Sequence, residues 1–257
     1  MDPVVPDFRL DDRVAIVTGA SSGIGHRFCQ VLAEQGATVL AAARRADRLD
    51  TLAATHDRIH AAVCDVADDD QLTGLADRAV ADFGRLDIVV NNAGTTDAVT
   101  SAEHQDPAQF RQVVEVNMNA CFVLAAAAAR QMIVQENGGS IINIASVHGL
   151  VAAAPNAQAA YAASKGGLVN LTRELAAQWA KHRIRVNAIA PGYFETELTA
   201  AMFVGEDAGL RYIRRNALLG RPGELEELDG PLLLLASDAG TYITGQTIAV
   251  DGWWTAG

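Results

Sequence analysis

Apolar positions along this chain come in short, nearly continuous runs rather than in strict alternation. Runs at 14–18, 38–43, 59–63, 86–90, 141–144, 184–190 and 247–250 are rich in β-branched residues, as expected of strands covered on both faces of a parallel sheet. Between them lie segments with helical spacing, including 24–35, 69–83, 107–135 and 161–182, each long enough to be a crossover. Strand and helix alternating without a break in composition predict one doubly wound α/β domain over 1–257. Its core would be a seven-stranded parallel sheet with helices on both faces. Asp106-Pro107 marks one helix start, an N-cap followed by proline at the first helical position. Asp68-Asp69-Asp70 caps another, where the helix dipole favours negative charge.

Composition narrows the classes of function. The 257 residues are 50% hydrophobic and 20% charged, which is ordinary for a globular protein. Twenty Lys+Arg against 31 Asp+Glu leave a net charge of −11, which argues against nucleic acid or an anionic membrane as the main partner. Met1-Asp2-Pro3-Val4-Val5-Pro6-Asp7 is acidic and proline-broken, unlike a signal peptide. The apolar run at 120–129 is about half the roughly 20 residues of a membrane span, so a soluble protein is expected. Cys29, Cys64 and Cys121 have no metal-ligand spacing and the histidines form no HExxH pattern, so no metal and a reduced, cytoplasmic setting are expected.

Three local patterns carry chemistry. The first strand runs into Thr18-Gly19-Ala20-Ser21-Ser22-Gly23-Ile24-Gly25 and then a helix, so backbone N–H groups there can face a pyrophosphate. The second strand ends at Ala43, not at a carboxylate that would accept ribose hydroxyls, and Arg44-Arg45 follow. Guanidinium forks suit a 2′-phosphate, although a solvated arginine pair opening a helix would look the same. Tyr161 and Lys165 stand at i and i+4 on one helix face, where an ammonium can lower a phenol pKa toward working pH. Only two lysines occur, Lys165 and Lys181, so this placement is informative. Asn117 falls on the apolar stripe of the 107–135 helix, where its amide must find partners, as a core asparagine or as part of a site.

Together these residues resemble the short-chain dehydrogenase/reductase family in its compact, single-domain form. The likeness runs from Arg13 to Gly252 and includes Asp65-Val66, Asn91-Asn92-Ala93-Gly94, Ser146, Pro191-Gly192 and Thr244-Gly245-Gln246. It implies a Rossmann-type fold and a hydride exchanged between a nicotinamide cofactor and a ketone or secondary alcohol. By that resemblance Tyr161 is the general acid/base, Lys165 holds the nicotinamide ribose, Ser146 orients the carbonyl, and Asn117 supports a water leading to Lys165. Gly19, Ser21, Ser22, Gly23, Ile24 and Gly25 would line the pyrophosphate. Asp65 and Val66 would meet the adenine, and Asn92, Ala93 and Gly94 would follow the fourth strand. Pro191, Gly192, Phe194 and Thr196 would sit near the carboxamide. NADP(H) is the expected cofactor with NAD(H) second, and a homotetramer acting on a small molecule is expected.

Two departures stand out. Ser146 and Tyr161 are 15 positions apart where the family more often shows 13; the surplus falls in the 151–160 loop, which either bulges outward or reshapes the pocket. Trp253-Trp254 follow Asp251-Gly252, and Trp253 or Trp254 is expected at an oligomer interface, near the last strand. His148 is expected to border the substrate pocket, or to be a solvated loop residue. A lid at about 192–220 carries Phe194, Leu198, Met202, Phe203, Leu210 and Tyr212, which either cover a hydrophobic ketone or only pack the lid down. Rival substrates are 3-oxoacyl groups on acyl carrier protein and sugars or polyols. A catalytically silent nucleotide-binding regulator is the alternative from another class.

Overall fold

A computed structural model describes residues 7–203 and 208–257. Most of the N-terminal stretch weighed above as a signal peptide, and positions 204–207 of the expected lid, lie outside them. The strands are β1 (Val14–Thr18), β2 (Thr38–Ala43), β3 (Ile59–Val63), β4 (Ile88–Asn91), β5 (Gly139–Ile144), β6 (Ile184–Pro191) and β7 (Thr247–Val250). They form one parallel sheet in the order β3-β2-β1-β4-β5-β6-β7. The chain steps outward from β1 to β3, then returns to the other side of β1 as β4. That reversal opens a crevice at the carboxyl ends of β1 and β4, where ligands of such sheets bind.

Both faces of the sheet are covered, which explains the continuous apolar runs. Ala15 and Val17 of β1 pack toward Phe28 and Leu32 of α1 (Gly23–Glu34), Leu49 of α2 (Ala46–Ala53) and Leu232 of α8 (Asp229–Ala236). Val14 and Ile16 face Leu72 and Leu75 of α3 (Asp69–Phe83), with Leu124 and Met132 of α5 (Ala120–Gln135) and Leu175 of α6 (Ala159–Trp179). The two expected caps are present: Asp68 accepts from the amides of Asp70 and Gln71, and Asp106 from that of Ala108.

The helix expected over 107–135 is interrupted. It runs as α4 (Pro107–Val114), a π-helical turn at Glu115–Asn119, and α5. The turn is centred on Asn117, whose side chain is tied to backbone outside the helix; such bulges favour functional positions. By length and composition Pro107–Gln135 could cross a membrane, but half of its most apolar window is buried inside the fold. The 192–220 segment holds a 3-10 turn at Ala200–Met202 and α7 (Ala208–Asn216), above the carboxyl ends of the strands.

Candidate active site

A cleft of about 380 Å³ opens along those strand ends. Its phosphate end is the turn from β1 into α1. Gly19 has φ +67°, and a Cβ there would stand 2.9 Å from the Ala93 Cα, so the backbones of the β1 and β4 loops meet only because the side chain is missing. Thr18 locks the same junction, its hydroxyl accepting the amides of Asn92 and Ala93 at 3.0 and 3.1 Å. The N-cap Ser22 makes no side-chain bond to the first-turn amides of α1. Loop and helix start therefore fit a diphosphate.

Every residue expected to hold a dinucleotide lines this cleft except Gly25, which lies beneath it. A Cβ on Gly25 would collide with the Gly19 carbonyl and the Asn92 amide, so close packing requires a glycine there. Asp65 and Val66 stand at the end of β3, and Asp65 uses Oδ1 to accept the Ala67 amide at 3.1 Å. Arg44 is exposed at the end of β2. Arg45 is not a free fork: its Nε and Nη2 donate to Ser21 Oγ at 3.1 and 2.8 Å, and Nη1 to Glu197 at 2.9 Å.

At the other end, β5 delivers Ser146 and α6 delivers Tyr161 and Lys165 to the cleft wall. Lys165 is 4% exposed and donates to the Ile144 carbonyl at 2.7 Å, with Nζ 5.9 Å from the centre of the Tyr161 ring. Burial lowers its pKa. The Tyr161 phenol is held above its ordinary value: burial leads, a hydrogen bond with Ser146 opposes it, and the Asp97 carboxylate adds to the rise. The net direction is thus upward, set by burial, where the sequence alone predicts a phenol lowered by Lys165. Desolvation outweighs a buried ammonium already directed to a carbonyl.

Asn117 is fully buried, and its side-chain amide finds protein partners. Oδ1 accepts the Thr95 amide at 2.8 Å, while Nδ2 donates to the Thr95 carbonyl at 2.9 Å and to Ser164 Oγ at 3.1 Å. Asn117 thus ties the β4 loop to the helix of Tyr161. Asp97, absent from the sequence reading, does the same from outside: its 3% exposed carboxylate accepts the amides of Ala160 and Tyr161. Gln158, the N-cap of α6, has no side-chain cap bond, so Asp97 replaces a local cap.

Beyond Tyr161 the wall is aromatic. His148, 6.5 Å from the Tyr161 ring, is buried and shares a 3.2 Å hydrogen bond with the Tyr193 hydroxyl. Tyr193 stacks on Trp254 at 5.1 Å, and Tyr212 meets both edge-on. Trp254 therefore packs against rings of its own chain, while Trp253 is 48% exposed. The long 151–160 loop joins this wall, because the Tyr212 hydroxyl donates to the Ala154 carbonyl at 3.0 Å. Of the expected lid residues, Phe194 is 3% exposed and wedged against Gly223, so it anchors the segment, while Leu198 lines the cleft.

Comparisons with known proteins give the family. A family model described as Enoyl-(Acyl carrier protein) reductase matches residues 19–255. The 2-dehydro-3-deoxy-D-gluconate 5-dehydrogenase of Escherichia coli K12 is 37% identical over 255 residues, covering 98% of this chain and 99% of that protein. The 3-oxoacyl-[acyl-carrier-protein] reductase FabG of Thermotoga maritima is 37% identical over 249 residues, covering 95% of this chain and 98% of that protein. A crystal structure of a gluconate 5-dehydrogenase from Burkholderia cenocepacia J2315, in complex with NADP and tartrate, superposes with TM-score 0.90 at 38% identity, over 97% of this chain and 98% of that one. The chain belongs to the short-chain dehydrogenase/reductase family. Within it, the protein is an NAD(P)-dependent oxidoreductase acting on CH–OH groups.

Proposed function

We propose that the protein is an NADP(H)-preferring ketone reductase and secondary-alcohol dehydrogenase with Tyr161 as its general acid/base. The observation that carries the reading is the Tyr161 phenol, which shares the cleft wall with Ser146 and has the Lys165 ammonium 5.9 Å from its ring centre. Gly19 to Ile24, Arg44, Arg45, Asp65, Val66 and Asn92 to Gly94 would hold the dinucleotide, whose nicotinamide supplies or takes the hydride when bound. In reduction Tyr161 gives its proton to the carbonyl oxygen, and in oxidation it takes the hydroxyl proton. Ser146 donates a hydrogen bond to the same oxygen as negative charge develops there. Lys165 lies near enough to favour the phenolate once Tyr161 has given up its proton.

The wall of His148, Tyr193, Tyr212 and Trp254 is uncharged, burial keeping His148 below its ordinary pKa, and it suits an apolar ring better than a carboxylate. A second reading, oxidation of a sugar acid, is favoured by the named activities of the E. coli and B. cenocepacia relatives. The 3-oxoacyl reading has the T. maritima relative behind it but needs a basic docking patch on a chain of net charge −11. Assembly as a homotetramer belongs to the same proposal, supported by the open edge of β7 and the exposed Phe122 and Val134 on α5. Buried free thiols at Cys29, Cys64 and Cys121 support a cytoplasmic setting.

The test is a panel of cyclic ketones, steroids, 3-oxoacyl thioesters, aldonates and polyols assayed with both cofactors. Expected are highest kcat/KM on a cyclic ketone with NADPH and a loss of about 10²–10⁴ in Tyr161→Phe. Equal or better kcat/KM with NAD(H) removes the cofactor preference, and turnover confined to aldonates moves the substrate to the second reading.

A further inference from the structure

Glu197 lies outside the motifs that carry the family likeness, on the segment between β6 and the Ala200–Met202 turn, and it lines the cofactor cleft. Its carboxylate is gripped at the adenosine end. Arg45 Nη1 donates to Oε2 at 2.9 Å, Arg48 Nη1 donates to Oε1, and the Ser22 hydroxyl contributes a third bond. These partners hold the acid far below the usual carboxylate range, at about 2, so it is ionised at any working pH. Arg45 also donates to Ser21 Oγ and Ser22 Oγ, at 2.8 and 2.9 Å, which fixes its fork against the phosphate loop.

One carboxylate thus occupies two guanidinium groups and a serine hydroxyl beside the end of β2, the donor set that suits a ribose 2′-phosphate. We propose that Glu197 is a built-in stand-in for the cofactor's 2′-phosphate, the two anions competing for Arg45 and Arg48. The proposal rests on the NADP(H) reading above. Like charges a few ångströms apart repel, so a carboxylate and a phosphate drawing on the same two guanidinium groups weaken each other's hold. Seating the phosphate therefore frees the segment that Glu197 pins. Thr199 Oγ1 braces that segment, accepting the Thr196 amide at 3.0 Å and donating to the carbonyl of the anchored Phe194 at 2.5 Å, so the freed part is the stretch beyond Phe194. A nucleotide without the phosphate leaves the latch fastened, so the chain distinguishes the two cofactors at the substrate lid as well as at the ribose.

The test uses nucleotides that do no redox chemistry. Wild type, Glu197→Gln and the control Glu195→Gln are titrated with 2′,5′-ADP and with 5′-AMP by calorimetry. Glu197→Gln is expected to bind 2′,5′-ADP about tenfold tighter, with 5′-AMP and the control within about twofold of wild type. Hydrogen exchange over 196–203 is expected to rise in wild type with 2′,5′-ADP and not with 5′-AMP. No tightening, or equal tightening of both nucleotides, overturns the latch. Wild-type preference for 2′,5′-ADP with no gain in Glu197→Gln overturns the latch alone. If neither variant tells the nucleotides apart, the 2′-phosphate reading falls as well.

Discussion

The Asp97 carboxylate accepts the backbone N–H of Tyr161 at 3.2 Å, so a buried acid 64 positions earlier in the chain sets the first turn of the helix that presents the phenol. It also accepts Gln105 Nε2 at 2.6 Å, and its charge raises the Tyr161 pKa. Asp97→Ala should cost about 1–3 kcal/mol in a denaturant melt, because two buried amides lose their acceptor. Asp97→Asn keeps an acceptor oxygen but removes the charge. Reduction needs the protonated phenol, so its rate falls as pH rises through the phenol pKa. Asp97→Asn should move that alkaline limb to lower pH, whereas a purely structural role would change kcat and leave the limb in place.

Trp254 touches three rings at 5.1–6.0 Å between centroids. Each aromatic pair contributes about 0.5–1.5 kcal/mol beyond area burial. Trp254→Ala should lower the melting temperature and raise KM for a cyclic ketone by about tenfold or more, while the Kd for NADP⁺ stays close to wild type. Isothermal titration with the cofactor and steady-state kinetics with the ketone separate the two.

His148 titrates below its ordinary value of 6.5 in the folded protein because burial disfavours the imidazolium. Below pH 6.5 the unfolded chain then binds more protons than the fold, so this contribution to stability is complete above that pH and is lost as pH falls. Thermal melts from pH 8 to pH 5 should show a decline that is shallower in His148→Asn. A residual slope is expected from His26, which burial also lowers.

Gly25 does not line the cleft, yet Gly25→Ala should be among the more damaging single changes in the loop. The new Cβ meets the Gly19 carbonyl and the Asn92 side chain, and overpacking of this kind costs about 1–3 kcal/mol. Circular dichroism melts are expected to show the loss before any nucleotide is added.

The sheet was legible because strands covered on both faces leave continuous apolar runs, and all seven expected strand positions agree with the structure to within two residues at each end. Among them β4 starts two residues late and ends at Asn91 rather than Val90; the Asn91 side chain donates to Asn143 at 2.9 Å, which lets a polar residue close the strand. The residues lining the cleft were legible for a similar reason: glycines, serines and a Tyr–Lys pair sit at short, fixed spacings. Asp97, Glu197 and Trp254 were not. Their partners lie far off along the chain (152 positions for Glu197 and Arg45), and no periodicity in a sequence marks such a meeting. The π turn at Asn117 was hidden as well, since an apolar stripe looks the same whether or not one residue is squeezed into it.

The stack of Trp254 on Tyr193, edge-on to the His148 that neighbours Tyr161, gives the chain its own optical reporter. Indole emission depends on the rings and charges packed against it. A compound that parts this stack on entering will announce itself in the fluorescence of the native chain, without a label. Occupancy can then be titrated with molecules that bind and never react, so the search for the natural ligand does not have to wait for turnover.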